Sequence, residues 1–254
     1  MKNEAFRSLV GAIGFLACQG VRLDVAFAHS ELSRYNDCAG PGHWEVLVNL
    51  VHYLRKHPHL GILLPRKGGL SLRATCDSDY NGCRDERKSK TGITIDLDGA
   101  LFLHICRTQK WIARSVGSAE YHAMAACAAE LLFYRQVMRS LGLTVEACPV
   151  LKTDKPAADD AVPTLFSDST VALANGAKPI NWLSEKLEHV EIHVNFFRQY
   201  VQAGHIKLAK IASTENPADA LTKSYATRAS IQAAIAHFMR ELPFRFRPTT
   251  QSSG

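Results

Sequence analysis

Residues 70 to 105, LSLRATCDSDYNGCRDERKSKTGITIDLDGALFLHI, decide the fold class. Leu70, Leu72, Ala74 and Cys76 alternate with Ser71, Arg73, Thr75 and Asp77, the period-two signature of a strand, and this one ends on an acid. ITIDL and ALFLHI then flank Asp98-Gly99, a dipeptide that tolerates the positive φ angles of a two-residue hairpin. The stretch therefore predicts three consecutive strands joined as a meander.

Downstream the period changes. From Ser118 the residues Tyr121, Met124, Ala125, Ala128, Leu131, Leu132 and Met138 share a helical stripe, and Gly142 suits its end. TLFSD reads as a short buried strand delivering Asp168, and a brief helix follows. A longer helix from Ser184 carries Leu187, Val190, Val194, Phe197 and Val201, HIKLAKI is a fifth strand, and Pro217 opens the closing helices. Three strands followed by alternating helix and strand predict a mixed sheet, because crossover helices return the chain parallel to earlier strands. The class is α/β, with helices layered on a five-stranded sheet.

Upstream, residues 1 to about 64 read as helical. In HWEVLVNLVHYLRKH the apolar residues Trp44, Leu47, Val48, Val51 and Leu54 follow helical spacing, and Pro65 through Gly69 marks a boundary. Residues 146 to 163 form a loop rich in Pro, Ala and Asp.

The 254 residues are 46% hydrophobic and 21% charged, which excludes a disordered tail and a collagen-like fibre. The longest apolar run, Leu9 to Cys18, is broken by Gly11 and Gly14 and preceded by Glu4, so it reads neither as a membrane span nor as a secretory leader. Seven cysteines at irregular spacing fit a reducing, intracellular setting, and a net charge of +6 favours a polyanionic partner.

Four acids sit where this order of elements can gather them: Asp77 on the first strand, Glu120 opening the long helix, Asp168 ending the fourth strand and Asp219 in the first turn of a late helix. Clustered carboxylates repel one another unless divalent cations neutralise them, and Mg²⁺ is the natural occupant. Each acid also has a local reading: Asp77 as a turn residue, Asp168 as a helix cap, Glu120 and Asp219 as favourable charges at helix N-termini.

The motifs around these acids carry a resemblance. CDSDYNGCRDERKSKTGITI, SAEYHAMAACAAELLFYRQVMRSLG, LFSDSTVALANG, KLEHVEIHVNFFRQYVQAGHIKLAKI and ENPADALTK, in this order, resemble the ribonuclease H domain of copia-type retrotransposon polyproteins. FRSLVGAIGFLA, RLDVAFAHSELSR and HWEVLVNLVHYLR are similar to the helical segment that joins polymerase to nuclease in the same family. The resemblance implies a ribonuclease H-like mixed five-stranded sheet flanked by helices, preceded by a small helical segment. It implies a reverse-transcriptase tail at 1–65, a ribonuclease H-like domain at 66–240 and a loose tail at 241–254. It further implies endonucleolytic cleavage of the RNA strand of RNA/DNA hybrids by two Mg²⁺ ions, with Mn²⁺ able to substitute. Asp77 is then shared by both ions, Glu120 and Asp168 hold one, and Asp219 holds the other. The implied partners are the hybrid and the remaining reverse-transcriptase domain, with no membrane.

Two departures bear on activity. Where the family has Thr-Glu-Ala-Glu-Tyr, Gly117-Ser118-Ala119-Glu120-Tyr121 keeps only the second glutamate, and the paired aspartates of a polymerase palm are absent. The rival is therefore a catalytically inactive retroelement-derived fragment that only binds nucleic acid. Arg84, Arg87, Lys88 and Lys90 form the densest basic cluster, and two readings stand: a solvated hairpin edge, or contacts to substrate phosphates.

Overall fold

Strand β2 (Leu72–Asp79) is buried along nearly its whole length because it has a neighbour on each side. It pairs antiparallel with β3 (Lys90–Leu97) and parallel with β5 (Thr164–Ser167). With β4 (Ala100–Thr108) outside β3, and β6 (Lys207–Lys210) outside β5, the order is β4-β3-β2-β5-β6. This is the expected ribonuclease H-like mixed sheet, a three-strand meander extended by two parallel strands. The computed structural model describes residues 2–18, 22–65, 70–83, 85–143, 162–179, 196–224 and 228–241.

The hairpin forms where the sequence predicts it. Asp98 and Gly99 have φ of 50° and 88°, and the Gly99 N–H donates to Asp96 Oδ1 at 2.7 Å. Helix α4 (Val116–Ser140) starts where Ser115 accepts from the Ser118 N–H and ends before Gly142, whose φ is 70°. It lays Tyr121, Met124, Ala128 and Leu131 against Leu72, Ile93, Ile95 and Leu165 of the sheet. Helices α5 (Thr170–Gly176) and α6 (Phe197–Gln202) close the same core through Ala172 and Phe197. Leu187, Val190 and Val194, expected on the long helix, lie outside the described residues, as do nearly all of the 146–163 loop and the tail beyond 241.

The N-terminal helices α1 (Lys2–Cys18), α2 (Ala26–Ser33) and α3 (Pro41–Lys56) build a core of Phe6, Val10, Ile13, Leu32, Leu47 and Leu50. The inward face of α3 is rotated from the expected stripe: Leu50 is buried while Val48 is 42% exposed. Two short strands escape the helical reading of this region and of the C-terminus, β1 (Leu60–Ile62) and β7 (Met239–Glu241), which pair antiparallel. Helix α7 (Arg228–Ile235) precedes β7. Leu23, Ala26 and Leu60 share one cluster with Leu101, Leu221, Ile235, Phe238 and Met239, so the first and last parts of the chain are packed together against the sheet. Lys90 Nζ reinforces this contact through Ser30 Oγ at 2.8 Å and Glu31 Oε1 at 2.7 Å. Among the described residues no helix is long and apolar enough to cross a membrane.

Candidate active site

Parallel pairing sets the first two acids side by side. Cys76 of β2 faces Ser167 of β5 in the register, so Asp77 and Asp168, each the next residue, come side by side; β5 ends there, whereas β2 does not end on Asp77 as expected but stays paired with β3 as far as Asp79. Helix α4 crosses beside them and brings Glu120 to the pair. Carboxylate oxygens of Asp77, Glu120 and Asp168 lie within 4.8 Å of one another. The helix-cap role open to Asp168 falls instead to Ser169, whose hydroxyl accepts from the Ala172 N–H at 3.2 Å.

Asp219 arrives on a different support. Pro217–Leu221 is a single 3₁₀ turn rather than a full α-helix, begun by Asn216, whose Oδ1 accepts from the Ala218 N–H at 3.2 Å. The Asn216 amide donates to the Cys76 carbonyl at 3.1 Å and anchors the turn to β2 directly before Asp77. Asp219 Oδ2 accepts from Lys223 Nζ at 2.8 Å. Asp219 is outside the group of three close acids, yet its charge acts on Asp77.

The electrostatics are those of crowded, desolvated carboxylates. Burial, then the Asp219 charge, push Asp77 up to about 7, against the hydrogen bond that Thr222 donates to it. Burial, then Asp77 and Asp168, push Glu120 up to about 8. Glu120 Oε2 and Asp219 Oδ1 are buried without a hydrogen-bond partner among the described residues. Hard oxygen donors held close together, some with unused lone pairs, fit a divalent cation such as Mg²⁺ or Mn²⁺.

Several residues of the site carried no signal of their own in the sequence. Gln109 Nε2 lies 3.3 Å from Ser78 Oγ, 3.0 Å from Thr91 Oγ1 and 3.0 Å from the Ala119 carbonyl, linking the neighbours of Asp77 and Glu120. Thr222 and Gly92 act only through contacts made by the fold. The Asn216-Pro217 pair was the one readable hint, a helix-start signal just before Asp219.

The basic cluster divides. Arg87 is exposed, Lys88 pairs with Glu86, and Lys90 is buried with its ammonium committed to Ser30 and Glu31. Arg84 lies outside the described residues.

No family model matches the chain. Over 237 residues it is 27% identical to the retrovirus-related Pol polyprotein from transposon RE2 of Arabidopsis thaliana, covering 93% of this chain and 15% of that protein. The chain is homologous to the Pol polyproteins of copia-type transposons. It spans about 15% of the length of these curated relatives. It is also 30% identical over 133 residues to secreted RxLR effector protein 161 of Plasmopara viticola, covering 52% of this chain and 93% of that one. Among solved structures, LC11-RNase H1 from a compost metagenome aligns with a TM-score of 0.42 and 12% identity over 60% of this chain and 93% of its own.

Proposed function

We propose that this chain is the nuclease part of a retrotransposon Pol polyprotein and hydrolyses the RNA strand of RNA/DNA hybrids in a metal-dependent reaction. One observation carries the reading: Asp77, Glu120 and Asp168 converge from two strands and a helix to within 4.8 Å, an arrangement that opposes folding unless a cation offsets it. Asp77, Glu120 and Asp168 would hold one divalent ion, and Asp219 with Asp77 a second. Mg²⁺ or Mn²⁺ bound there supplies Lewis-acid polarisation of a phosphodiester and lowers the pKa of a water.

The chain's own groups do the positioning. Thr222 donates to Asp77 and fixes the direction of that carboxylate. Gln109 ties Ser78 to Ala119, so the strand bearing Asp77 and the helix bearing Glu120 hold a constant separation. Lys223 balances Asp219 until a cation or a phosphate arrives. Arg87 and Lys88 are proposed phosphate contacts, and preference for an RNA strand would come from 2′-hydroxyl contacts across the wide minor groove of the hybrid. Residues 1–65 are proposed as the reverse-transcriptase tail, 66–240 as the nuclease unit and 241–254 as a loose end.

A hydrolysis assay on end-labelled RNA/DNA hybrid tests the reading. Purified protein should cut only the RNA strand, in Mg²⁺ or Mn²⁺ and not in EDTA, and Asp77→Asn should abolish the cut. Wild-type protein that binds hybrid yet never cleaves it in either metal would overturn the enzyme assignment and leave the inactive binding fragment.

A further inference from the structure

We propose that Lys90 is a positioning residue of the active site: its ammonium fastens helix α2 to the start of β3, and through that joint the N-terminal helices hold Asp77, Glu120 and Asp219 in place. The inference rests on the nuclease reading above and deepens it. It also takes Lys90 out of the basic cluster as a contact to substrate.

Enclosure of the ammonium is the first observation. The Lys90 side chain is 1% exposed, although lysine is almost never buried unless it is paired. Its Nζ lies 2.8 Å from Ser30 Oγ, 2.7 Å from Glu31 Oε1 and 5.6 Å from the centre of the Phe27 ring. Phe27, Ser30 and Glu31 stand at i, i+3 and i+4 on α2, so a single face of that helix surrounds the cation. An ammonium held this way does not reach a phosphate, and only one seating of helix on strand satisfies it.

Place along the strand is the second. Lys90 faces Asp79 in the β2–β3 ladder, and Gly92, two residues on and therefore on the same face of β3, faces Asp77. The turn that carries Asp219 packs against Gly92. Leu23, and Ala26 at the start of α2, share a cluster with Ala220 and Leu221 of that turn. The helix pinned by Lys90 thus supports the segment from which Asp219 and Thr222 act on Asp77.

The residues on either side of Lys90 are the third. The Ser89 carbonyl accepts from the Gln109 N–H at 2.8 Å, Ser89 Oγ accepts from the Asn81 N–H at 3.3 Å, and Gln109 Nε2 donates to Thr91 Oγ1 at 3.0 Å. The same Gln109 amide reaches Ser78 and the Ala119 carbonyl, next to Asp77 and Glu120. Movement of Lys90 relative to α2 therefore moves the point to which both acids are tied. A misplacement of about 1 Å can cost about a hundredfold in rate.

The test uses the full chain with Lys90→Met, Glu31→Gln and Ser30→Ala, and reads hydrolysis of labelled hybrid, hybrid binding and the Mg²⁺-dependent rise in melting temperature. Met keeps the length of the side chain without its charge, and Glu31 retains Arg34 at 3.1 Å, so no carboxylate is stranded. Lys90→Met should lower kcat about tenfold at unchanged KM, measured well below the melting temperature of each variant. It should also raise the Mg²⁺ concentration that the thermal shift requires. Hybrid affinity and its salt slope, measured with Asp77→Asn to prevent turnover, should match those of Asp77→Asn alone, whereas loss of a phosphate contact would lower the slope by about one. Adding Glu31→Gln to Lys90→Met should slow the reaction no further, since both changes remove the same joint. Ser30→Ala should show the same kcat loss in smaller measure, and together with Glu31→Gln it decides the matter if Lys90→Met does not fold. Unaltered kcat and Mg²⁺ response in folded Lys90→Met overturn the positioning role while leaving the nuclease reading intact, and a lowered salt slope overturns it in favour of a phosphate contact. Wild-type protein that never cleaves hybrid overturns the nuclease reading, and the Mg²⁺ response of the variants then judges Lys90 by itself.

Discussion

Asp77 faces Gly92 directly across the β2–β3 ladder, and the space that a side chain at Gly92 would take is filled by the turn carrying Asp219. A Cβ at Gly92 would lie 2.6 Å from the Ala218 carbonyl oxygen and 2.8 Å from Thr222 Cγ2. The first contact is with backbone, which cannot swing aside. Gly92→Ala should therefore lift the Pro217–Leu221 turn from the sheet, costing about 1 to 3 kcal/mol of stability. It should also loosen the Thr222 hold on Asp77 and depress hydrolysis beyond what the stability loss explains. Denaturant unfolding and an assay well below the midpoint check this, and unaltered values of both would show that the turn does not depend on the missing side chain.

Metal-free protein should lose stability as pH rises from about 4 to about 8. In the unfolded chain Asp77 and Glu120 release their protons near pH 4, whereas in the folded protein they keep them to about 7 and about 8. Between those limits the native state binds more protons, so the stabilisation present at low pH is lost on the way up. Asp77→Asn should flatten this dependence. Melting curves in EDTA across the range decide the point, and stability that climbs with pH there would contradict the burial of these acids.

Mg²⁺ should act in the opposite direction. A cation that binds only the folded state raises the melting temperature, and does so most where the carboxylates are ionised. The shift should be clear at millimolar Mg²⁺ near pH 8 and lost in Asp77→Asn, Glu120→Gln and Asp168→Asn, with Asp219→Asn affecting it less. Thermal shift measurements on the set are sufficient. Independent behaviour of the four variants with no metal response in wild type would remove the shared site.

Phe197 is fully buried, with its ring 5.4 Å from that of Tyr121 and close against Gly176. Phe197→Ala should cost about 3 to 5 kcal/mol by leaving a cavity between α4, α5 and α6. Val171→Ala, at a residue 55% exposed on α5, should cost less than about 0.5 kcal/mol. Equal losses by urea unfolding would mean that the helix faces are misassigned.

What the sequence by itself determined is what short-range periodicity records. Alternation from Leu70 to Cys76, the Asp98-Gly99 turn and the stripe from Tyr121 to Met138 specify local conformation through neighbours a few residues away, so these elements form as read. The order of elements then restricted the sheet to a mixed topology, and the acids could be named because each lies within or beside one of the elements that could be read. The tertiary structure alone decided which of them meet and what holds them. Strand pairing of β1 with β7 joins segments three residues long, too short for a period to register. Lys88 and Lys90 are equivalent in a charge count, yet one pairs beside it on the hairpin and the other is buried against α2. Gln109, Thr222 and Gly92 matter only for what lies across the sheet from them. Their partners are set by packing between elements far apart in the chain, where no local pattern reaches.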